Sequence, residues 1–129
     1  MFLGLRTIIY PAVDLVASRA WYSELLGAEP YFDEPFYVGF TVGGYELGLD
    51  PQGDPAVGPI TYWGVADADA ALRSLLERGA TARSPVQEVG GGIRVATVLE
   101  AGGAVLGIIE NPHFELPAVA SSPAPGPGR

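Results

Sequence analysis

The feature that most restricts what this chain can fold into is that it reads twice. "TIIYPAVD" (7–14) is an apolar, β-branched run closed by Asp14, and "LVASRAWYSELLGA" follows it. Asp14 suits a helix N-cap, Leu15, Tyr22, Leu25 and Leu26 give a helical apolar stripe, and Gly27 suits the position just past a helix end. The second half offers "ITYWGVAD" (60–67), then "ADAALRSLLERGA". Here Asp67 or Asp69 caps, Ala68, Leu72, Leu75 and Leu76 form the stripe, and Gly79 ends it. Strand-like runs come next in each half: "FYVGFTVG" and "YELGLD" in the first, "GIRVATVLE" and "AVLGIIE" in the second. Paired glycines at 43–44 and 102–103, and "DPQGDPAVGP" at 50–59, punctuate them. Matching residues stand 53 apart at the strand start (Thr7, Ile60) and 59 apart at the last strand (Gly48, Gly107). A longer loop at "VQEVGGG" would absorb the difference.

Composition narrows the classes of function. The 129 residues suit one domain with a real core, at 48% hydrophobic and 17% charged. The formal charge of −8 argues against nucleic acid, which needs a basic face, and against anionic membrane surfaces. Without cysteine there is no disulfide framework and no thiolate chemistry. No apolar run approaches the roughly 20 residues that span a bilayer. The start lacks a basic segment, a long apolar run and a small-residue cleavage site, so the cytoplasm is the expected compartment. Residues 117–129, "PAVASSPAPGPGR", are expected to form a disordered tail beyond a domain of residues 1–116.

The run "VDLVASRAWYSELLGA", repeated as "VADADAALRSLLERGA", resembles the vicinal oxygen chelate superfamily, the group of glyoxalases, bleomycin-resistance proteins and extradiol dioxygenases. The resemblance covers about residues 5–112. It implies an α+β fold of two βαβββ modules, about 5–50 and 58–110, whose strands form one cupped mixed sheet with helices on the convex face. It leaves the chemistry open, because one fold hosts many functions.

In metal-dependent relatives, His, Glu or Gln ligands stand on the first and last strand of each module. Carried onto this chain, those positions are Thr7 and Ile60, seven residues before each capping Asp, and Gly48 and Gly107, four past each turn glycine. None offers an imidazole or a carboxylate, so no catalytic divalent-metal site is expected there and no cofactor. The two glycines are expected to leave open room in the cup, which Gly48→Leu would fill. Another register could gather Glu46, Asp50, Glu100 and Glu110 as oxygen donors, although charged strand ends are usually just solvated. His113 reads as a surface residue.

Period-2 alternation then assigns the faces. Thr7, Ile9, Glu46, Gly48, Ile60, Tyr62 and Gly107 are expected to line the cup, with Arg94 added as a polar candidate. The registers of Arg94 and Tyr37 are not fixed by any motif. Tyr45, Leu47, Leu49, Trp63, Leu106 and Ile108 are expected under the helices. Such a cup, apolar with few polar groups, suits a small molecule. Glu46 could bind a cation or act as a general base, or could simply pair with Arg94 or water; Tyr62 could stack on a ligand or merely fill space.

Three readings follow. The first is a metal-independent small-molecule binding protein, its ligand hydrophobic and, compatibly with the charge of −8, cationic. The second is a metal-free enzyme of the same fold, an isomerase or lyase moving a proton with Glu46 or Tyr62. The third, a metal-dependent lyase or dioxygenase, lacks its four ligands. Unpaired sheet edges and the prevalence of two-fold assemblies lead to the expectation of a homodimer. Light scattering should give a dimer both for the full chain and for one truncated after Phe114. A monomer at micromolar concentration refutes it.

Overall fold

Asp14 and Asp67 convert two strands into two helices. Asp14 Oδ1 accepts the Ala17 N–H and Asp67 Oδ1 the Ala70 N–H, each at 3.1 Å, so each satisfies a donor that the first helical turn leaves open. In the computed structural model, which describes residues 1–114, the order is β1 (Gly4–Pro11), α1 (Leu15–Leu26), β2 (Phe32–Glu34), β3 (Tyr37–Val42), β4 (Tyr45–Asp50), β5 (Ile60–Gly64), α2 (Ala68–Glu77), β6 (Thr81–Glu88), β7 (Arg94–Leu99) and β8 (Val105–Glu110). The tail expected at 117–129 lies outside the described residues. Gly27 ends α1 at φ 65°, a left-handed position that favours glycine.

The eight strands form one mixed sheet in the order β2-β3-β4-β1-β5-β8-β7-β6. Within each module the first and last strands run parallel, β1 with β4 and β5 with β8. The modules join where β1 meets β5 antiparallel, so a single chain builds the whole sheet. The two halves differ in the edge strand and in the turns. The residues after α2 form β6, 8 residues against 3 in β2, so "VQE" is strand. The connections are longer as well, residues 89–93 between β6 and β7 against 35–36 between β2 and β3, so part of the expected longer loop is present at its glycines.

Each helix covers its own module. Phe40, Leu49, Val38 and Ala12 form one buried cluster, against which Tyr10, Leu15, Tyr22, Leu26 and Leu47 pack. Ala68, Ala71, Val65, Ala96 and Ile108 form the other, joined by Leu72, Leu75 and Leu106. Leu47, Leu49, Leu106 and Ile108 thus lie where alternation put them. Burying side chains such as Phe40 and Leu49 stabilises by roughly 1.5–3 kcal/mol each. Trp63 instead stacks on Phe2, which itself packs against the α2 cluster, and Tyr45 stays exposed beside Phe114. Among the described residues no helix is long and apolar enough to cross a membrane.

Glu110 ties α2 to the sheet: its Oε1 accepts the Ala68 N–H at 2.9 Å and lies 3.6 Å from Arg94 Nη1. Replacing Asp67 with Ala should lower unfolding free energy by about 1 kcal/mol in urea titration, the usual loss for an N-cap. An unchanged midpoint would show that Glu110 holds this helix start unaided.

Candidate functional site

The face opposite the helices encloses a cavity of about 420 Å³. One wall comes from β1, β4 and β5 through Thr7, Ile9, Glu46, Asp50 and Tyr62. A second is aromatic, with Tyr31, Phe32, Phe36 and Tyr37, and the third is aliphatic, with Val89, Ile93, Val95 and Ile109, beside Asn111. Two carboxylates and five aromatic rings thus face the space, and among the described residues no cationic side chain lines it.

Strand register explains the convergence on Glu46. Glu46 is the Cα partner of Thr7 on β1 and of Thr41 on β3, which brings Thr7 alongside it on the concave face. The Thr7 hydroxyl donates to Glu46 Oε1 at 3.0 Å, and the Tyr31 hydroxyl donates to Oε2. Gly39 makes the second bond sterically feasible. A Cβ there would stand 2.8 Å from Glu46 Oε2 and 3.0 Å from the Tyr31 ring, so any larger residue would press on the pair. Burial, then the Glu46 bond, raises the Tyr31 phenol above its ordinary value; burial, then the Glu46 charge, does the same to Tyr37. Burial also raises Tyr62, with Asp50 adding and Arg83 opposing. All three phenols therefore stay protonated at neutral pH, and Tyr31 serves as a hydrogen-bond donor to Glu46.

The central glycines do not leave open space. A Cβ on Gly48 would overlap the Tyr37 hydroxyl, and one on Gly107 would come within 2.5 Å of the Tyr62 ring. Each glycine is a floor on which a tyrosine lies. Gly48 and Gly107 thus shape the cup from beneath and do not face its contents. Ile60 pairs with Ile9 and lies outside the cavity wall. Arg94 points to the convex side: its Nη2 lies 2.8 Å from Asp69 of α2, and its neighbour Val95 faces the cavity. A strand cannot present two successive side chains to one face without a bulge, so Arg94 does not reach the cup.

Thr7, Ile9, Glu46 and Tyr62 come together as the alternation required. The aromatic wall went unread because β2 and the register of β3 carry no motif. Its signal was present in "YFDEPFYVGF", which places five aromatic residues within ten positions. His113 is exposed, but it also donates from Nε2 to the Gly91 carbonyl at 2.7 Å, fixing the turn between Val89 and Ile93.

A resident metal does not fit these residues. Thr7, Gly48, Ile60 and Gly107 offer at most one neutral hydroxyl. Glu100 and Glu110 hold backbone N–H groups at strand ends, leaving Glu46 and Asp50 as the carboxylates on the cavity. The phenols beside Glu46 are protonated donors, which cannot coordinate a metal ion directly as anionic oxygen ligands would. Among the described residues no group of three or more His, Asp or Glu is placed to hold a metal ion.

Solved structures share this architecture. A Streptomyces coelicolor methylmalonyl-CoA epimerase in complex with 2-nitronate-propionyl-CoA superposes with a TM-score of 0.72 at 16% identity, over 87% of this chain and 99% of that one. A glyoxalase/bleomycin resistance protein/dioxygenase superfamily member from Vibrio splendidus 12B01 gives 0.63 at 18%, over 83% and 99%. A Legionella pneumophila structure named as an NAD-dependent benzaldehyde dehydrogenase gives 0.65 at 17%, over 80% and 96%. No protein-family model and no curated protein matches the sequence. The chain has the vicinal oxygen chelate fold. Identities this low carry the fold and not a reaction, as the differing names of the three neighbours illustrate.

The glycine–tyrosine contacts predict a coupled pair. Gly48→Ala alone should destabilise by on the order of 1–3 kcal/mol through overpacking. In a Tyr37→Ala background the same change should cost far less, and urea denaturation of the four-member cycle measures that coupling. Strict additivity would mean the two positions do not collide.

Proposed function

We propose that the cup is the binding site of a small, partly apolar cation and that binding needs no metal. The observation that carries this reading is the lining: Glu46 and Asp50, five aromatic rings, an aliphatic far wall, and no positive side chain. A buried cation is stabilised by nearby carboxylates and by ring faces, and alkylated ammonium groups suit aromatic cages because their charge is spread over methyl groups. The volume of about 420 Å³ lies within the range of small-molecule pockets.

The geometry supports binding better than turnover. A general base must finish its step holding the substrate proton. On Glu46 that proton would sit among hydroxyls that are themselves donors, from Thr7 and Tyr31. The same hydroxyls orient the carboxylate and leave its remaining lone pairs for a cation. Among the described residues no nucleophile–base pair and no phosphate-cradling loop adjoins the cavity.

Calorimetry with phenylpropyltrimethylammonium and its uncharged tert-butyl isostere tests the reading. The cation should bind at least tenfold more tightly, a difference of about 1.4 kcal/mol. Glu46→Gln should remove most of that preference, and dialysis against a chelator should change nothing. Equal binding of the two probes refutes the cation, and loss of binding after chelation refutes metal independence.

A further inference from the structure

A single row of register partners crosses the concave face: Glu46 on β4, Thr7 on β1, Tyr62 on β5, Gly107 on β8, Thr97 on β7 and Ser84 on β6. One end of the row is the acidic cup. The other end carries different chemistry.

In β6 the step from Ala82 to Ser84 opposes the single step from Val98 to Thr97, so Arg83 is the extra residue of a bulge. Bulges re-aim side chains, and here the guanidinium turns to the concave side. Arg83 donates from Nη1 to Thr97 Oγ1 at 3.3 Å. Thr97 is only 3% exposed. Its hydroxyl lies 2.7 Å from that of Ser84, which also accepts the Thr97 N–H at 3.0 Å. The guanidinium therefore rests on a built polar support.

Among the described residues its charge has no carboxylate counterpart, as is also true of Arg73 on α2 and of Arg78, which bonds Ser74 just past that helix. Arg19 and Arg94 each hold two carboxylates. Arg6, the other bulged arginine, stacks its guanidinium 3.9 Å from the Phe114 ring centre and bonds the Leu5 carbonyl. Among the described residues Arg83 has no carboxylate within 4 Å, in a chain with 15 acidic residues. Its field nevertheless reaches the Tyr62 phenol, where it opposes Asp50. Tyr62 lines the cavity, and the guanidinium stands outside that lining, farther along the same row of register partners.

We infer that Arg83, held on Thr97 at the far end of this row, is a second subsite that takes a carboxylate on the far end of the same ligand. The inference rests on the cation reading of the cup and makes the ligand dipolar: ammonium against Glu46, an apolar middle across Tyr62 and the aliphatic wall, and carboxylate at Arg83. Asp50 lines the cavity near Tyr62 and repels an anion, so the carboxylate approaches from the β6 side. Four strand spacings of about 4.8 Å separate Glu46 from Thr97, roughly 19 Å along the curved sheet and less across the cup. The two charges must therefore be joined by an extended chain and not by a compact amino-acid frame.

The test compares ω-trimethylammonio alkanoates of increasing length with alkyltrimethylammonium ions of the same length, by calorimetry on the wild-type protein, Arg83→Gln and Arg83→Lys. At one spacer length the carboxylate should raise wild-type affinity at least tenfold, and added salt should shrink that gain. Arg83→Gln should erase the gain while keeping the affinity for the plain ammonium ion, and Arg83→Lys should keep part of it. Retained ammonium binding also reports that the Gln variant is folded. No gain at any length, or a gain that survives Arg83→Gln, overturns the subsite and leaves the cation cup standing. Failure of every probe to bind overturns both.

Discussion

The antiparallel contact between β1 and β5 is what the rest of the molecule depends on. Each module alone would be a four-stranded sheet with one helix, exposing the backbone of its first strand. Pairing Thr7 with Tyr62 and Ile9 with Ile60 covers both first strands at once. It also places the inward residues of the two modules side by side, so that Glu46 of one half and Tyr62 of the other border the same cavity. The bulge between Leu5 and Thr7 sits within this seam, and Gly64 opposite leaves room for the Arg6 side chain. The seam thus settles both topology and the position of the cup.

Within that frame, the character of the cup comes from rings lying on bare backbone. Tyr37 covers Gly48, Tyr62 covers Gly107, and the Glu46–Tyr31 pair nests against Gly39. Glycine weakens a strand, through backbone entropy and a missing side chain, so three of them in strand interiors need a local reason. The rings supply it by occupying the vacated volume. The Tyr31 hydroxyl, protonated at neutral pH, then donates to Glu46 and holds it as an acceptor in a mostly apolar setting.

How much of this was legible in the sequence follows from the range of each signal. Helix caps are local, a side chain meeting a backbone N–H three residues on, and Asp14, Asp67 and Gly27 could be read directly. Alternation is local too, and it placed Thr7, Ile9, Glu46 and Tyr62 on one face. It failed for Arg94, where parity had no motif to anchor it and the deciding partner, Asp69, lies on a helix 25 positions upstream. It also failed for the glycines, because a missing side chain shows that space exists without showing what enters it. Tyr37 reaches Gly48 across a strand pair, and no periodicity along either strand reports a contact of that kind.

The tyrosine-covered glycines also shape the routes open to sequence change. A carboxylate placed at Gly48 would first meet the Tyr37 hydroxyl; at Gly107 it would meet the Tyr62 ring. Accommodating either needs a tyrosine to leave before the new side chain arrives, and each departure on its own opens a hole in the wall. The two substitutions are therefore ordered and individually costly. A chain with this arrangement is kinetically trapped in sequence space, free to refine the rim of its cup but separated by a valley from any larger side chain on its floor.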